Sequence, residues 1–284
     1  MRLLEYLKLM RVVQWYKNLV IFLPLVFVGQ LLQGDSMERI ALGFVALGLV
    51  SSANYVFNDM IDRKADRMHP EKKRRPLAAG TVRGGEAVLL FLGSLVSSLA
   101  LAFALSPLFF LSVASLFALT LLYSLWLKHE VLVDMLLIGV NFVIRAIGGT
   151  FILGVSISPW LILCPFFLSL FLTTGKRKAD LLLLGKEAEL HRRVLKYYTP
   201  EFTGLLLVIS TTLLLMSYSL YSFLSQHPHL LWTLPVALYV VFRYLYLIYH
   251  KPKKVRHPEL SILDPQLLAG ILLWTLMVLA VIYL

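Results

Sequence analysis

The sequence predicts an all-α integral membrane protein with about nine transmembrane helices, in a single domain over residues 1–284. Three observations carry that prediction. Hydrophobic residues make up 59% of the chain and charged residues only 15%, against about 25% charged in an ordinary soluble domain. The mean hydropathy is +0.79, and the apolar residues come in runs close to the roughly 20 residues that a helix needs to cross a bilayer. The basic residues, finally, are confined to alternate connections between those runs.

The runs read, in order, 18–33, 40–58, 86–105, 107–127, 131–153, 159–175, 203–224, 230–249 and 266–284. Ser106-Pro107 splits one long apolar stretch into two, because a proline cannot continue a helix interior. Ser156-Ile157-Ser158-Pro159 and Gln226-His227-Pro228-His229 mark similar short turns. The N-terminal segment MRLLEYLKLMRVVQWYKN has no apolar run followed by a small-residue cleavage site, so no cleavable signal peptide is expected.

Of the 27 Lys and Arg, 24 fall in five segments: the N-terminus, the connections after spans 2, 4 and 6, and the one after span 8. With nine spans and an inside N-terminus, all five lie on one side, which the positive-inside rule assigns to the cytoplasm. The net charge of +11 would also suit nucleic acid. Its placement beside membrane spans argues for the membrane instead. The single Cys164 excludes internal disulfides and cysteine-rich metal clusters.

The densest chemistry stands at the end of span 2: Asn58-Asp59-Met60-Ile61-Asp62-Arg63-Lys64-Ala65-Asp66. If the helix continues, Asp59, Asp62 and Asp66 share one face. Carboxylates so close repel unless a cation sits among them, and hard oxygen ligands suit Mg²⁺, which takes one or two carboxylates plus phosphates and waters. Ser51, Asn54 and Asn58 continue a polar stripe into the bilayer. Polar groups inside spans usually face a cavity. The alternative for the acidic cluster is a solvated face at the membrane surface. The run His69-Pro70-Glu71-Lys72-Lys73-Arg74-Arg75-Pro76 follows at once. Alone it would mark topology or a lipid contact. Beside the carboxylates it points to a Mg²⁺–diphosphate site, with Arg75 among the anion binders.

A second cluster, Gly175-Lys176-Arg177-Lys178-Ala179-Asp180 with Glu187 and Glu189, follows span 6. Lys176 and Arg177 read as anion binders or, more blandly, as a basic membrane anchor. Span 5 holds Asp134, Asn141 and Arg145. Arg145 lies roughly 20 Å along the helix from residue 131, at about 1.5 Å per residue. An arginine so deep must line a cavity or pair with an acid. Gln14-Trp15-Tyr16-Lys17-Asn18 sits near the first span. Trp15 and Tyr16 read as interfacial anchors, and Lys17 either snorkels or reaches the anion site.

Asn58-Asp59-x-x-Asp62-x-x-x-Asp66 followed by Arg75-Pro76 and Gly80 resembles the first aspartate-rich motif of the UbiA superfamily of intramembrane prenyltransferases. Gln14-Trp15-x-Lys17-Asn18, Arg145-Ala146-Ile147-x-Gly149 and Gly175-Lys176-Arg177-x-Ala179-Asp180 are similar to the branch of that superfamily that moves phosphoribose rather than a prenyl group. The resemblance implies a UbiA-like bundle along the whole chain. It implies attack by a polyprenyl phosphate, such as decaprenyl phosphate, on 5-phosphoribose 1-diphosphate, with Mg²⁺ held by Asp59, Asp62 and Asp66. Asp59 and Asp62 would be the catalytic pair. Lys17, Asn58, Arg75, Lys176, Arg177 and Asp180 would bind substrate, and Asn141 with Arg145 would hold the lipid phosphate. The prenyl-transferring members carry a second aspartate motif where Lys176-Arg177-x-x-Asp180 stands here. Asp180 keeps, on a shorter arm, an acid that is usually glutamate in the phosphoribosyl branch. The alternative is a prenyltransferase acting on an aromatic or other polar acceptor. A carrier for a phosphorylated solute is the competing class, and the inverted repeats that would favour it are not evident.

Overall fold

The computed structural model describes residues 2–68, 71–185, 188, 193–256 and 258–284. Among the described residues every regular element is helical. The long helices are α1 (Arg2–Met10), α2 (Gly34–Ile61), α3 (Gly84–Leu105), α4 (Pro107–Leu125), α5 (Val133–Leu153), α6 (Pro159–Leu184), α7 (Pro200–Leu224), α8 (Leu234–His250) and α9 (Pro265–Tyr283). Among the described residues, eight helices are long and apolar enough to cross a membrane. A ninth candidate is a pair, α1 with Val12–Phe27, bent by 45°.

The sequence marks most of these boundaries with its own chemistry. Pro107, Pro159, Pro200 and Pro265 open their helices, where a missing N–H costs nothing. Thr199 and Asp264 cap α7 and α9 by accepting hydrogen bonds from the backbone of Phe202 and Leu267. The bent pair corrects the expected first span at 18–33. It starts sixteen residues earlier, and Gly34 already opens α2. The bend sits at Arg11, whose φ of 50° and ψ of 43° are left-handed. The stretch from Val12 to Phe22 is a 3₁₀ helix. The charges of α1 (Arg2, Glu5, Lys8), with Arg11 just after it, keep the start of the bent pair from reading as apolar.

The chain divides into two compact units, Met1–Leu125 with Ile144–Ile157, and Trp126–Val143 with Ser158–Leu284. In the first, α2 is the central helix. Of its apolar window 61% is buried, against 17% for α3. Leu89, Leu92, Val96 and Phe103 of α3 are exposed at helical spacing, the stripe that lipid would cover. The core joins Ile21, Leu25, Ile40, Leu47, Val50, Phe109, Val113, Leu116 and Ile152. The N-terminal stretch runs antiparallel to α2. Arg11 meets Asp59, Trp15 meets Ser52 and lies over Gly48, Ile21 meets Gly43, and Gln30 meets Ser36. Trp15, expected as an interfacial anchor, is therefore an internal staple, and Ser52 passes the link on to the Met10 carbonyl.

The second unit packs α6 and α8 around Phe171, Ala179, Val241, Tyr244, Leu247 and Ile248. A smaller core of Met135, Leu181, Val194, Leu195 and Tyr198 ties the start of α5 to the segment before α7. Gly175 makes the close approach possible. A Cβ there would lie 2.8 Å from Ile248 Cδ1.

Candidate active site

α2 delivers Asn58 and Asp59 at its last turn and then stops. Asp62 is its C-cap, and its N–H bonds the Asn58 carbonyl at 2.9 Å. A short helix, Arg63–Met68, follows, and the chain returns through Lys72–Arg74 and Pro76–Ala79 to a left-handed Gly80. Arg63 and Arg67 donate to the Leu77 and Ala78 carbonyls at 3.2 and 3.3 Å. Leu77 and Val82 bury themselves with Leu9 and Val56. These ties bring Arg75 back over the end of α2.

There Arg75 Nη1 donates to Asp59 Oδ1 at 3.0 Å and to Asp66 Oδ2 at 2.8 Å. Arg11 Nη2 donates to the same Asp59 oxygen at 2.6 Å, and its guanidinium lies 4.7 Å from the centre of the Tyr55 ring. Asp62 Oδ2 accepts from Asn58 Nδ2 at 3.1 Å. The single helical face expected through Asp59, Asp62 and Asp66 is thus not formed, because the helix ends between the first two. Among the described residues no three acidic, histidine or cysteine side chains gather as a ready metal cage. Asp59 and Asp66 do converge, on one cationic nitrogen. Two carboxylates sharing a cation are a donor set that fits Mg²⁺, which asks for one or two carboxylates and leaves its other positions to phosphate and water. Arg11 escaped the sequence reading, where it counted only toward topology. Nothing in the spacing links positions 48 residues apart. His69 and Pro70 lie outside the described residues.

Within the same unit Arg145 Nε donates to Asn18 Oδ1 at 2.8 Å. Asn18 is 1% exposed, and its Nδ2 donates no hydrogen bond. Asn141, expected to hold the lipid phosphate together with Arg145, belongs to the other unit, where it is buried and its Oδ1 accepts no hydrogen bond. The Asn18 amide is thus one partner of the deep arginine. Lys17 Nζ donates to Gln14 Oε1 at 3.2 Å.

In the second unit the Lys176–Asp180 cluster is not a loop. α6 continues through it to Leu184. The helix turns Arg177 inward, where it is 2% exposed and bonds Asp134 Oδ2 at 2.5 Å. Arg177, expected to meet a substrate anion, is paired in the structure with a buried carboxylate. Tyr198 completes this cluster. Its ring lies 5.6 Å from the guanidinium, its hydroxyl accepts from the Leu132 N–H at 2.9 Å and lies 3.4 Å from Asp134 Oδ1. Burial, with the Asp134 charge behind it, pushes the Tyr198 phenol above its ordinary value, so it stays a neutral donor. Lys178 donates to the Pro200 carbonyl. Asp180 pairs with Arg256 at 3.3 Å, and Lys176 is exposed. Lys186, Glu187, Glu189 and Arg192 lie outside the described residues.

The family model for the UbiA prenyltransferase family matches residues 22–263. Decaprenyl-phosphate phosphoribosyltransferase of Mycobacterium tuberculosis (strain ATCC 25618 / H37Rv) is 35% identical over 220 residues, covering 76% of this chain and 73% of that protein. The protein of the same name from Corynebacterium glutamicum is 33% identical over 226 residues, covering 78% of this chain and 68% of that protein. Among solved structures, a UbiA homolog from Archaeoglobus fulgidus bound to GPP and Mg²⁺ superposes with a TM-score of 0.73 at 20% identity, covering 99% of this chain and all of that one. That likeness is one of fold.

Proposed function

We propose that this chain, which belongs to the UbiA prenyltransferase family, transfers 5-phosphoribose from 5-phosphoribose 1-diphosphate to a polyprenyl phosphate and releases diphosphate. The observation that carries the reading is the pair of buried carboxylates, Asp59 and Asp66, converging on one cation at the end of α2, in a chain whose relatives of like length bear that activity in their names. Asp59 and Asp66, with Asp62 beside them, would hold Mg²⁺. Bound there, Mg²⁺ would neutralise the leaving diphosphate. Arg75 reaches both carboxylates and would donate to the same diphosphate oxygens.

The bond from ribose C1 to the diphosphate oxygen breaks, and a bond from C1 to a lipid phosphate oxygen forms. That oxygen is already ionised near neutral pH, so no general base is required. The Asn18 amide and the Arg145 guanidinium offer the lipid phosphate buried donors. The unpaired Asn18 Nδ2 supports this, since a buried donor left unmade costs about 1–3 kcal/mol. Lys176, exposed in the motif that replaces the second aspartate cluster of prenyl-transferring relatives, is the candidate for the C5 phosphate on sequence grounds, with Asp180 paired behind it. The basic segments support a cytoplasmic location for this chemistry, by the positive-inside rule.

A donor screen tests the reading. Purified protein in detergent, with Mg²⁺ and polyprenyl phosphate, should release diphosphate from 5-phosphoribose 1-diphosphate. Asp59→Asn should lower turnover by at least a hundredfold while the protein stays folded. Consumption of a prenyl diphosphate with an aromatic acceptor, and none of the phosphoribosyl donor, would replace this assignment with a prenyltransferase.

A further inference from the structure

The carboxylates of Asp59 and Asp66 are nearly sealed, at 2% and 4% side-chain exposure, while the guanidiniums that cover them are 21% (Arg11) and 25% (Arg75) exposed. A cation arriving from solvent meets a guanidinium before it meets Asp59. The two guanidiniums are not held alike. Arg75 bridges two carboxylates through one nitrogen, and its own backbone is relaxed, at φ −64° and ψ 143° before Pro76. Arg11 bonds Asp59, and its backbone is left-handed at φ 50°. A side chain with a Cβ enters that region only at a cost. Arg11 is also the joint of the bent pair, the one residue between α1 and the 3₁₀ stretch. Charge balance points the same way. Two arginines match Asp59 and Asp66 as they stand. Once a divalent cation joins those carboxylates, one arginine becomes surplus there, and a diphosphate brings the negative charge that it would then meet.

We propose that Arg11 is an exchangeable counter-ion: it holds Asp59 until a divalent cation enters with the diphosphate, then turns from the carboxylate to a diphosphate oxygen. Arg75 stays as the fixed cation, and Tyr55, under the Arg11 guanidinium, is the rest on which it pivots. This rests on the reading of the site as a metal–diphosphate site. It makes Arg11 a donor-binding residue, although it lies outside every motif of the first aspartate segment.

The proposal predicts effects of opposite sign on two ligands. In Arg11→Met one of the two guanidiniums on Asp59 is gone and Arg75 alone remains, so Mn²⁺ alone should bind purified protein about tenfold tighter, read by electron paramagnetic resonance of free Mn²⁺. The same variant loses a charge-assisted hydrogen bond to the diphosphate. The KM for 5-phosphoribose 1-diphosphate should rise about ten- to a hundredfold, with a smaller change in kcat. Arg11→Lys keeps the charge and should fall between wild type and Arg11→Met on both measures. A residue that merely holds the fold would weaken both ligands together, and Arg11→Lys would not restore them in step. Unchanged Mn²⁺ affinity, or weaker Mn²⁺ and donor binding together in a variant that unfolds at the wild-type temperature, overturns the proposal while leaving the site reading intact. Wild-type protein that neither binds Mn²⁺ nor consumes the phosphoribosyl donor overturns both.

Discussion

Arg177 belongs to the motif expected to bind substrate, and in the structure it also forms a buried ion pair with Asp134. Its guanidinium is sealed from solvent against Asp134, with Tyr198 closing the other side. Removing one member of a buried pair leaves the other charge uncompensated, at about 3–5 kcal/mol. Arg177→Met should therefore lower the unfolding temperature in detergent sharply, and Asp134→Leu should do the same. The double variant should recover much of the loss, because replacing both charges by apolar groups costs little. Recovery of stability without recovery of turnover would reveal a further role for Arg177 in catalysis. Asp264 is the other sealed carboxylate among the described residues of this unit. It accepts from Arg243 at 2.9 and 3.0 Å and from Lys254 at 3.3 Å, so it pins α8 and the connection before α9 together. Burial pushes its carboxyl up. The hydrogen bonds from Arg243 and Lys254 and from the Leu267 backbone pull harder, and the net direction is down. A carboxyl lowered in the folded state stabilises fully above its unfolded value, near 4. That contribution is lost as pH falls through the folded value. The unfolding temperature should thus fall below about pH 4 in wild type. Asp264→Asn should be less stable at pH 7 and show a flatter profile on acidification.

Close approaches between elements are set by glycines. Gly149 on α5 faces the N-terminal stretch so tightly that a Cβ would lie 2.4 Å from the Ile21 carbonyl oxygen, a backbone atom that cannot swing away. Gly149→Ala should cost about 1–3 kcal/mol, the usual penalty for overpacking, and should loosen the Asn18–Arg145 contact beside it. Gly93→Ala, on α3 with nothing within 4 Å, is the control. It should be neutral or stabilising by up to about 1 kcal/mol, the helix preference for Ala over Gly. Thermal unfolding of the two variants side by side decides it. The apolar runs, their proline-marked breaks and the Asp59–Asp66 motif were all legible in the sequence, because hydropathy and helix-breaking are local. The end of α2 at Ile61, the continuation of α6 through Lys176–Asp180, and the partners of Arg11 and Arg177 were not. Each is decided by which distant side chain arrives. Asp134 lies 43 residues from Arg177 and Asp59 lies 48 from Arg11. Spacing within a motif says which residues share a face but not what meets that face. The one signal that pointed inward, the deep Arg145, told that a partner exists without naming Asn18.

For the molecule in the membrane, the open question is on which side the chain starts. Spans α2 to α9 and the charges between them predict a C-terminus outside, whatever α1 does. The connection before α9 carries Lys251, Lys253, Lys254 and Arg256, and the positive-inside rule keeps it in the cytoplasm. The N-terminus depends on whether the bent pair crosses or dips in and returns. The contacts with α2 argue for crossing. Arg11 meets Asp59 near one end of α2, and Gln30 meets Ser36 near the other. The 23 residue steps from Ser36 to Asp59 span about 35 Å at about 1.5 Å per residue, more than the roughly 30 Å hydrocarbon layer. A stretch that touches both ends of such a helix is predicted to pass through the bilayer. On that prediction the N-terminus would lie on the side of Asp59, and Arg2, Lys8, Arg11 and Lys17 would join the other basic segments there. Cysteine labelling reads this directly in a Cys164→Ser background. A membrane-impermeant maleimide on intact cells should label Gln226→Cys in the outer turn before α8 and spare Lys73→Cys and Arg2→Cys until the cells are opened. Labelling of Arg2→Cys in intact cells, with Lys73→Cys still protected, would mean that the bent pair re-enters rather than crosses.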